Sequence, residues 1–288
     1  MAVVVTTSAA TLGATLRGVD LRVVEAAAWR SIETAFHEHA VLVFPDQFLD
    51  DEEQARFARR FGRFERGMGN LGEATVWPIS NVLADGSLAE RAGPLMAVLA
   101  GNQQWHTDSS YHRVSAKASV LSACVVPSSG GETEWADMRA AYDALDAHDR
   151  ALVAGRDAAH SYLYSQRKVG AGEELWTAAD VASMAEVRHP LVAMHPVTQR
   201  PALYLGRHAH AVNGFTDDES EALVTRLIDF ACRAPRVFTH AWSPGDVAVW
   251  DNRCVLHRGR SWDPTEARVM RHTRLAGDGD NEWALSDN

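Results

Sequence analysis

The stretch SPGDVAVWDNRCVLHRGR, residues 243–260, decides the fold. Its opening Ser-Pro-Gly-Asp is typical of a turn, and the apolar run Val247–Trp250 that follows predicts a buried strand. A second strand-like run, Cys254–His257, ends on a histidine, and a third, Arg268–Leu275, lies further along the chain. Short strands separated by Gly, Pro and Asp turns predict a mainly β fold of the sandwich type.

The rest of the chain adds helices to this β framework. Apolar residues recur at helical spacing over Val23–Ala40 and again from Asp50, which can cap the second helix, to Gly62. A capping box beginning at Thr216 opens a helix predicted to run to about Arg233. The remaining predictions are a helix over Met138–Leu145 and strands over Ala2–Thr6, Leu12–Leu21, Val41–Phe44, Ser119–Pro127, Thr133–Ala136 and Ala202–Leu205.

We expect one domain over residues 1–288, because no repeat or linker interrupts the pattern. Residues 166–190 have no clear hydrophobic period and contain two glycines, which predicts a mobile loop or lid. The polar tail over 277–288 is predicted to be frayed.

Composition excludes several classes of protein. The hydrophobic fraction of 46% is that of a folded chain, and 28 Lys and Arg against 38 Asp and Glu give a net charge of −10, which argues against nucleic-acid binding. The apolar stretch Ala92–Ala100 is too short to span a membrane, and no basic residue precedes Arg17, as a secretory signal would require. The three cysteines are isolated, so neither a disulfide framework nor a Cys-rich zinc site is expected. We expect an acidic globular protein of the cytoplasm.

A candidate metal site begins with Trp105-His106-Thr107-Asp108. On a strand, His106 and Asp108 would point to one side and could bind one ion. The pair alone is weak, because a chain with 13 histidines is expected to contain such a pair by chance, for example as a surface His beside a capping Asp. His257, at the end of a strand-like run, strengthens it. Two His and one carboxylate are typical of non-haem Fe(II) enzymes, and they leave positions for a chelating cosubstrate and dioxygen.

The strand-like run after His257 carries several basic residues. Arg268, His272 and Arg274 share one face of a strand, and Arg271 lies on the other. A guanidinium on the cavity face would bind a carboxylate through two hydrogen bonds, which suits a dicarboxylate cosubstrate. A surface salt bridge remains the alternative, more so for Arg271 than for Arg268.

The chain resembles the Fe(II)/2-oxoglutarate-dependent dioxygenases of the taurine/2,4-dichlorophenoxyacetate dioxygenase family. The resemblance covers nearly the whole chain, through the blocks GATLRGVDL, VLVFPDQ, FARRFG, WHTDSSY, VVPSSGGETEWADMRAAYDAL and GDVAVWDNRCVLHRGR. The segments HSYLYSQRK, GRHAHA, ACRAPRVF and RVMRHTRLAG are most similar to the aryloxyalkanoate dioxygenases, in particular those that act on (S)-2-aryloxypropionates.

This resemblance implies a double-stranded β-helix, or jelly roll, decorated by α-helices. It implies that Fe(II) is bound by His106, Asp108 and His257, and that 2-oxoglutarate is anchored by Arg268 with help from the Thr133 hydroxyl. The implied reaction hydroxylates the carbon next to the ether oxygen of a phenoxypropionate or phenoxyacetate. Its products are a phenol, pyruvate or glyoxylate, succinate and CO2.

The chain departs from the family pattern at the position expected to bind the substrate. Many members carry an Arg four residues after the cosubstrate Arg, where this chain has His272. The substrate carboxylate is therefore expected to pair with Arg274 or with a histidine, His208 or His272. Other acidic substrates, such as a sulfonate, a sulfate ester or an amino-acid derivative, stay open, and so does a jelly roll that binds without turnover.

Aromatic residues are expected around such a site. Trp105 and Trp250 would be its walls, and Tyr111, Tyr162 and Tyr164 would either stack on an aromatic substrate or pack in the core. The expected partner is a small acidic aromatic molecule, and the chain is expected to form a homo-oligomer.

Overall fold

The computed structural model describes residues 3–65, 74–170, 177, 181 and 184–278. Strands dominate these residues. In chain order they are β1 (Val4–Thr7), β2 (Ala14–Arg17), β3 (Val41–Phe44), β4 (Trp77–Ser80), β5 (Ala116–Val125), β6 (Thr133–Asp137), β7 (Asp157–His160), β8 (Val187–Pro190), β9 (Val192–Met194), β10 (Pro201–Leu203), β11 (Ala209–His210), β12 (Val237–His240), β13 (Val247–Asp251), β14 (Val255–Gly259) and β15 (Val269–Ala276).

Helices flank the strands. They are α1 (Ala26–His39), α2 (Asp51–Ala58) with a 3₁₀ turn Arg59–Phe61 after it, α3 (Pro94–Gly101), α4 (Met138–Asp143), α5 (Ala147–Val153), α6 (Tyr162–Lys168) and α7 (Asp217–Ala231). Within the described part of the chain, no helix is long and apolar enough to cross a membrane.

The strands form a large sheet and three smaller ones. The large sheet has the order β1-β2-β3-β13-β5-β15-β4, and its strands are antiparallel except for the parallel pair β2 and β3. A three-stranded antiparallel sheet, β12-β6-β14, carries the carboxyl-terminal histidine of the candidate site. The remaining sheets are β11-β7-β8 and the pair β10-β9.

The large sheet is buried on both faces at β13, although its edge strand β1 is exposed, and this explains the unbroken apolar run in β13. Ala248 and Trp250 face a core cluster that includes Trp135 of β6, whereas Val247 and Val249 face a second cluster that includes residues of α1 and α2. A strand covered on both sides needs apolar residues at every position. The Trp135 and Trp250 ring centroids lie 5.8 Å apart, so the two sheets meet through these side chains. This arrangement confirms the predicted jelly-roll core.

Helices α1 and α2 cover the outer face of the large sheet. Phe36 of α1 and Phe57 of α2 are buried, and their rings lie 4.9 and 5.5 Å from that of Phe61. Burial of each Phe side chain contributes about 1.5–3 kcal/mol to stability. Helix α2 begins with a capping box, in which Asp50 accepts from the Glu53 amide and the Glu53 carboxylate accepts from the Asp50 amide.

Most of the predicted elements are confirmed, with ends that differ by a few residues. The predicted helices correspond to α1, α2, α4 and α7, and the predicted strands to β1, β2, β3, β5, β6, β10, β13, β14 and β15. Helices α3, α5 and α6 are absent from the sequence prediction, because each has only 7 or 8 residues and shows little more than two turns of periodicity.

The segment 166–190, predicted as a mobile loop or lid, carries regular structure at both ends, and its action as a lid stays a prediction. Its first residues belong to α6, which begins after Ser161, whose hydroxyl accepts from the Tyr164 amide. Its last residues form β8, which pairs with β7. Between these elements, residues 171–176, 178–180 and 182–183 lie outside the described residues, as does 279–288 of the predicted tail.

One buried histidine of β7 makes stability depend on pH. His160 has no exposed surface, and its ring packs against His189 and Tyr204, with centroids 5.0 and 5.7 Å away. Burial lowers the pKa of His160 well below its ordinary value, and the neighbouring positive charges of His189, His210 and Arg188 lower it further. The folded protein therefore keeps this ring neutral at a pH at which the unfolded chain protonates it.

We predict that the free energy of unfolding falls as the pH drops below about 6.5, because only the unfolded chain then takes up a proton at His160. The contribution of this one group is at most about 1.4 kcal/mol per pH unit. A His160→Phe variant should lose that part of the slope, and His148→Phe, at an exposed position, should keep it. Urea titrations at pH 7.5, 6 and 5 measure both, and equal slopes in the two variants would contradict the prediction.

Candidate metal centre and active site

The two histidines of the candidate site are joined through their backbones. The His106 amide donates to the His257 carbonyl at 3.0 Å, and the His257 amide donates to the His106 carbonyl at 2.7 Å. His257 lies on β14 and His106 in the segment after α3, so this bridge connects distant parts of the chain. It sets the two imidazole rings side by side, with centroids 4.1 Å apart.

Asp108 completes a cluster of three side chains that could hold a metal ion. One ligand atom from each of His106, Asp108 and His257 lies within 4.8 Å of the other two, and all three residues are buried. The expected geometry of a strand was wrong here, because only His106 makes a β-bridge and Asp108 lies in the turn that follows. Ser109, next in the chain, has a φ of 58° and turns the backbone after Asp108.

Both imidazoles are in the form that binds a metal. The His106 Nδ1 lies 2.7 Å from the Gln104 carbonyl, which can only accept, so Nδ1 donates and the Nε2 lone pair stays free. Burial lowers the pKa of His106 to about 4, and burial also lowers the pKa of His257 well below its ordinary value. The rings are therefore neutral at physiological pH.

Hydrogen bonds hold the Asp108 carboxylate in place. The Ser119 hydroxyl donates to Asp108 Oδ2 at 2.6 Å and accepts from the Asn252 side-chain amide at 2.8 Å. The Trp250 indole donates to Asn252 Oδ1 at 2.9 Å, so the carboxylate is tied to the core. Burial opposes ionisation of Asp108, but His257 and neighbouring basic groups outweigh it and keep the pKa well below its usual range.

These three side chains line a cavity of about 310 Å³. Its lining includes three guanidinium groups, from Arg207, Arg268 and Arg274, and the apolar residues Trp77, Ile79, Leu95, Val98, Leu99 and Leu121. Thr133, His208, His272, Tyr111, Tyr162 and Trp250 also line it. The cavity thus combines a metal-binding cluster, an aromatic wall and cations.

Arg268 is a buried cation without a carboxylate partner among the described residues. Its guanidinium donates to the Gly131 carbonyl at 3.1 Å and lies 5.2 Å from the Trp262 ring centroid. Burial lowers its pKa to about 10, and no charged neighbour offsets this. A Cβ at Gly131, where φ is +72°, would come within 3.0 Å of the Arg268 Nε, so this glycine makes room for the arginine. Such a cation is suited to the carboxylate of a ligand.

Arg274, in contrast, is already neutralised. Its Nη1 donates to the Ser109 hydroxyl at 2.8 Å and to the Tyr111 phenol at 3.3 Å, and it lies 3.6 Å from the buried Glu65 carboxylate. The Trp77 ring centroid lies 5.0 Å from its guanidinium carbon. The residue lines the cavity where the sequence predicted a substrate contact, but its charge is compensated.

Sequence reasoning missed Arg207, the third guanidinium. Its Nη2 donates to the Ser165 carbonyl at 3.0 Å, and no described carboxylate pairs with it. Burial lowers its pKa below the ordinary value, against the opposing influence of the Tyr162 and Tyr111 phenols. The only sequence signal was its place beside His208 in the segment GRHAHA.

The other predicted residues separate into those that reach the cavity and those that do not. His208 and His272 line it, and the Thr133 hydroxyl lies there as an acceptor for the Trp242 indole at 2.9 Å. Tyr164 stacks on His210 instead, with centroids 4.3 Å apart. Trp105 lies under the Arg258 guanidinium, 4.5 Å away, and does not line the cavity.

A second cluster among the described residues, His37, His195 and Asp251, does not suit a metal. The His195 Nδ1 accepts from two backbone amides, so its Nε2 must carry the proton that it donates to Asp251 at 2.9 Å. Arg253 already neutralises the Asp251 carboxylate through two hydrogen bonds. No nitrogen lone pair of His195 is left for an ion.

The protein-family model described as "Taurine catabolism dioxygenase TauD, TfdA family" matches residues 5–274 of the chain. The chain belongs to this family. A TauD/TfdA relative, the (S)-phenoxypropionate/alpha-ketoglutarate-dioxygenase of Delftia acidovorans, is 47% identical over 287 residues, which are 97% of each chain. The alpha-ketoglutarate-dependent 2,4-dichlorophenoxyacetate dioxygenase of Burkholderia sp. strain RASC is 38% identical over 86% of this chain and 85% of its own.

A solved structure agrees with this family assignment. The crystal structure of AAD-2 in complex with Mn(II) and N-oxalylglycine matches the fold with a TM-score of 0.90, and the match covers 100% of both chains at 35% identity. The resemblance to the TauD/TfdA family drawn from the sequence is therefore confirmed, as is the fold that it implied.

We predict that the Ser119→Ala variant binds Mn(II) about 10- to 100-fold more weakly, because the Asp108 carboxylate loses the hydroxyl that orients it. Ser122→Ala is the matched control. Ser122 is buried on the same strand, but its hydroxyl donates to the Gln54 side chain and not to Asp108. Calorimetric titration with Mn(II) in the absence of oxygen measures both variants, and equal affinities would show that Ser119 does not support the site.

Proposed function

We propose that the protein is an Fe(II)- and 2-oxoglutarate-dependent dioxygenase that cleaves aryloxyalkanoates. The observation that carries this proposal is the buried His106, Asp108 and His257 cluster, which shares one cavity with the unpaired Arg268. The 47% identity to a dioxygenase named for (S)-phenoxypropionate, over 97% of each chain, supports the substrate class.

His106, Asp108 and His257 would bind Fe(II), since two neutral imidazoles and a carboxylate on one side of an ion are the ligand set that such iron enzymes use. With 2-oxoglutarate and dioxygen, the iron supplies an oxidation that adds a hydroxyl group to a substrate carbon and converts 2-oxoglutarate to succinate and CO2. Because the chain provides three ligands, positions are left for the cosubstrate. Ser119, Asn252 and the Trp250 indole hold the carboxylate ligand in one orientation.

Arg268 would anchor the distal carboxylate of 2-oxoglutarate, with the Thr133 hydroxyl as a further contact. A dicarboxylate suits a cavity whose lining includes both the candidate metal ligands and the buried cation of Arg268. N-oxalylglycine, the ligand named with the AAD-2 structure, has the same carboxylate spacing with an NH in place of a methylene. Binding relieves the cost of a desolvated guanidinium, since the pKa of Arg268 is lowered by burial alone.

Arg207 would bind the carboxylate of the substrate. Arg274, named by the sequence as a candidate together with His208 and His272, has its charge compensated by Glu65, whereas Arg207 has no described acid against it. The aromatic ring of the substrate would lie against apolar lining residues such as Trp77 and Leu99. These contacts hold the carbon next to the ether oxygen near the metal and exclude water.

The hydroxylated product of an aryloxyalkanoate is a hemiketal or hemiacetal, which breaks its carbon–oxygen bond without further oxidation. The ether oxygen takes a proton and leaves as the phenol, and the former hydroxyl becomes the carbonyl of pyruvate or glyoxylate.

The predictions of a homo-oligomer and of a cytoplasmic location stay open. Light scattering tests the first and cell fractionation the second.

We expect the protein with Fe(II) and 2-oxoglutarate, without oxygen, to show a weak visible absorption band of the bound cosubstrate. Addition of racemic 2-(2,4-dichlorophenoxy)propionate and air should then release phenol and succinate in equal amounts, and chiral analysis of the remaining acid identifies the enantiomer consumed. Succinate without phenol would keep the dioxygenase and reject this substrate, in which case sulfite release from sulfonates or sulfate esters is assayed next. Absence of the band would reject the iron site.

We predict opposite defects for two arginine variants. Arg207→Gln should weaken binding of the aryloxy acid about 100-fold and leave 2-oxoglutarate binding nearly unchanged, whereas Arg268→Gln should do the reverse, because a lost charge-assisted pair costs about 2–3 kcal/mol. Each variant is the control of the other. Anaerobic titrations of both ligands measure the four affinities, and a shared defect would contradict the assignment of one carboxylate to each arginine.

A further inference from the structure

Glu65 is a buried acidic residue that pairs with a cavity arginine, Arg274, but does not itself line the cavity. It is only 8% exposed, and its carboxylate lies 3.6 Å from Arg274 Nη1. The Ser109 hydroxyl joins the two, since it lies 2.7 and 2.8 Å from the two Glu65 oxygens, donates its one proton to that carboxylate, and accepts from Arg274 at 2.8 Å. The Glu65 amide also donates to the Arg274 carbonyl at 3.0 Å.

Each arginine that lines the cavity can be assigned one negatively charged partner. Under the proposed function, the distal carboxylate of 2-oxoglutarate neutralises Arg268, and Glu65 neutralises Arg274. Arg207 is then the cation left for the substrate among the described lining residues. Arg207 and Arg274 line the same cavity, together with the Tyr111 phenol that Arg274 contacts, so a second free cation there would act on the same bound substrate.

We propose that Glu65 is a specificity-determining residue: by neutralising Arg274, it restricts the cavity to substrates with one negative charge near the reacting carbon. This inference rests on the proposed function and deepens it. Glu65 is not among the residues that line the cavity, and it acts through Arg274, which is. A substrate with two carboxylates on the reacting carbon would meet one unpaired cation and would leave its second charge desolvated without a partner.

The test compares two probes that differ by one carboxylate, phenoxyacetate and phenoxymalonate. Calorimetry without oxygen measures their affinities for the protein loaded with Fe(II) and 2-oxoglutarate. Glu65→Gln should bind phenoxymalonate about tenfold better relative to phenoxyacetate than the wild type does, because a desolvated charge pair at an effective dielectric constant of about 20 suffices for that change. Glu134→Gln is the matched control. The Glu134 carboxylate accepts a hydrogen bond of 2.7 Å from Arg258, and neither residue lines the cavity, so this variant should leave the ratio unchanged.

A double-mutant cycle separates charge compensation from direct contact. Arg274→Gln should weaken phenoxyacetate binding about tenfold, because Glu65 then places an uncompensated negative charge beside the substrate. The double variant Glu65→Gln/Arg274→Gln removes both charges and should return to within about threefold of the wild type. The comparison of Arg274→Gln with the double variant remains decisive if the Glu65→Gln variant alone folds poorly, since the double variant leaves neither charge of the Glu65 and Arg274 pair without its partner.

Three results would overturn the inference. If the double variant binds phenoxyacetate as weakly as Arg274→Gln, Arg274 itself is the substrate anchor and Glu65 does not set the charge. If Glu65→Gln changes both affinities equally, its role is structural. If the wild type binds neither probe, the aryloxy substrate class is wrong and the inference falls with it. The first two results reject the inference alone, because the wild type then still binds phenoxyacetate.

Discussion

The reciprocal backbone hydrogen bonds between His106 and His257 are the constraint on which the site depends. The segment after α3 belongs to no sheet of the described residues except through this bridge. Once the bridge forms, both imidazoles face the cavity and Asp108, two residues further on, comes within reach of the same ion. The opposite side of β14 is fixed by its pairing with β6, so the position of His257 follows from the sandwich itself.

A ligand on a turn needs support that a ligand on a strand does not. Asp108 obtains it from Ser119 of β5 and from Asn252, which follows β13, two neighbouring strands of the large sheet. Asn252 also accepts from the indole of Trp250, whose ring packs against Trp135 in the core. The rigidity of the packed sandwich is therefore passed to the carboxylate by hydrogen bonds, which is how a loop residue can be held closely enough for metal binding.

The sequence predicted what is encoded locally. The apolar run of β13, the capping Asp50 of α2 and the capping box of α7 are short-range patterns, and they predicted these elements to within a few residues. The candidate metal site is likewise marked locally, by a His-x-Asp pair and a strand-end His, and the structure brings these three side chains together, while their binding of a metal stays a prediction. The compensation of Arg274 by Glu65, and the lack of a described acid beside Arg207, could not be predicted, because a charge is free or paired only through neighbours distant in sequence.

Burial of unpaired guanidinium groups links the stability of this fold to its ligands. Arg268 and Arg207 are desolvated without a described carboxylate partner, and a buried charge without one destabilises the folded state. A ligand carboxylate removes that penalty, so part of the binding free energy comes from relief of a cost already present in the free protein. Arg274 shows the alternative, because the same residue type in the same cavity is stabilised by Glu65 from within the chain. Among the described lining residues, Arg274 is neutralised by Glu65, whereas Arg207 and Arg268 have no described carboxylate beside them, an arrangement that favours an anionic ligand.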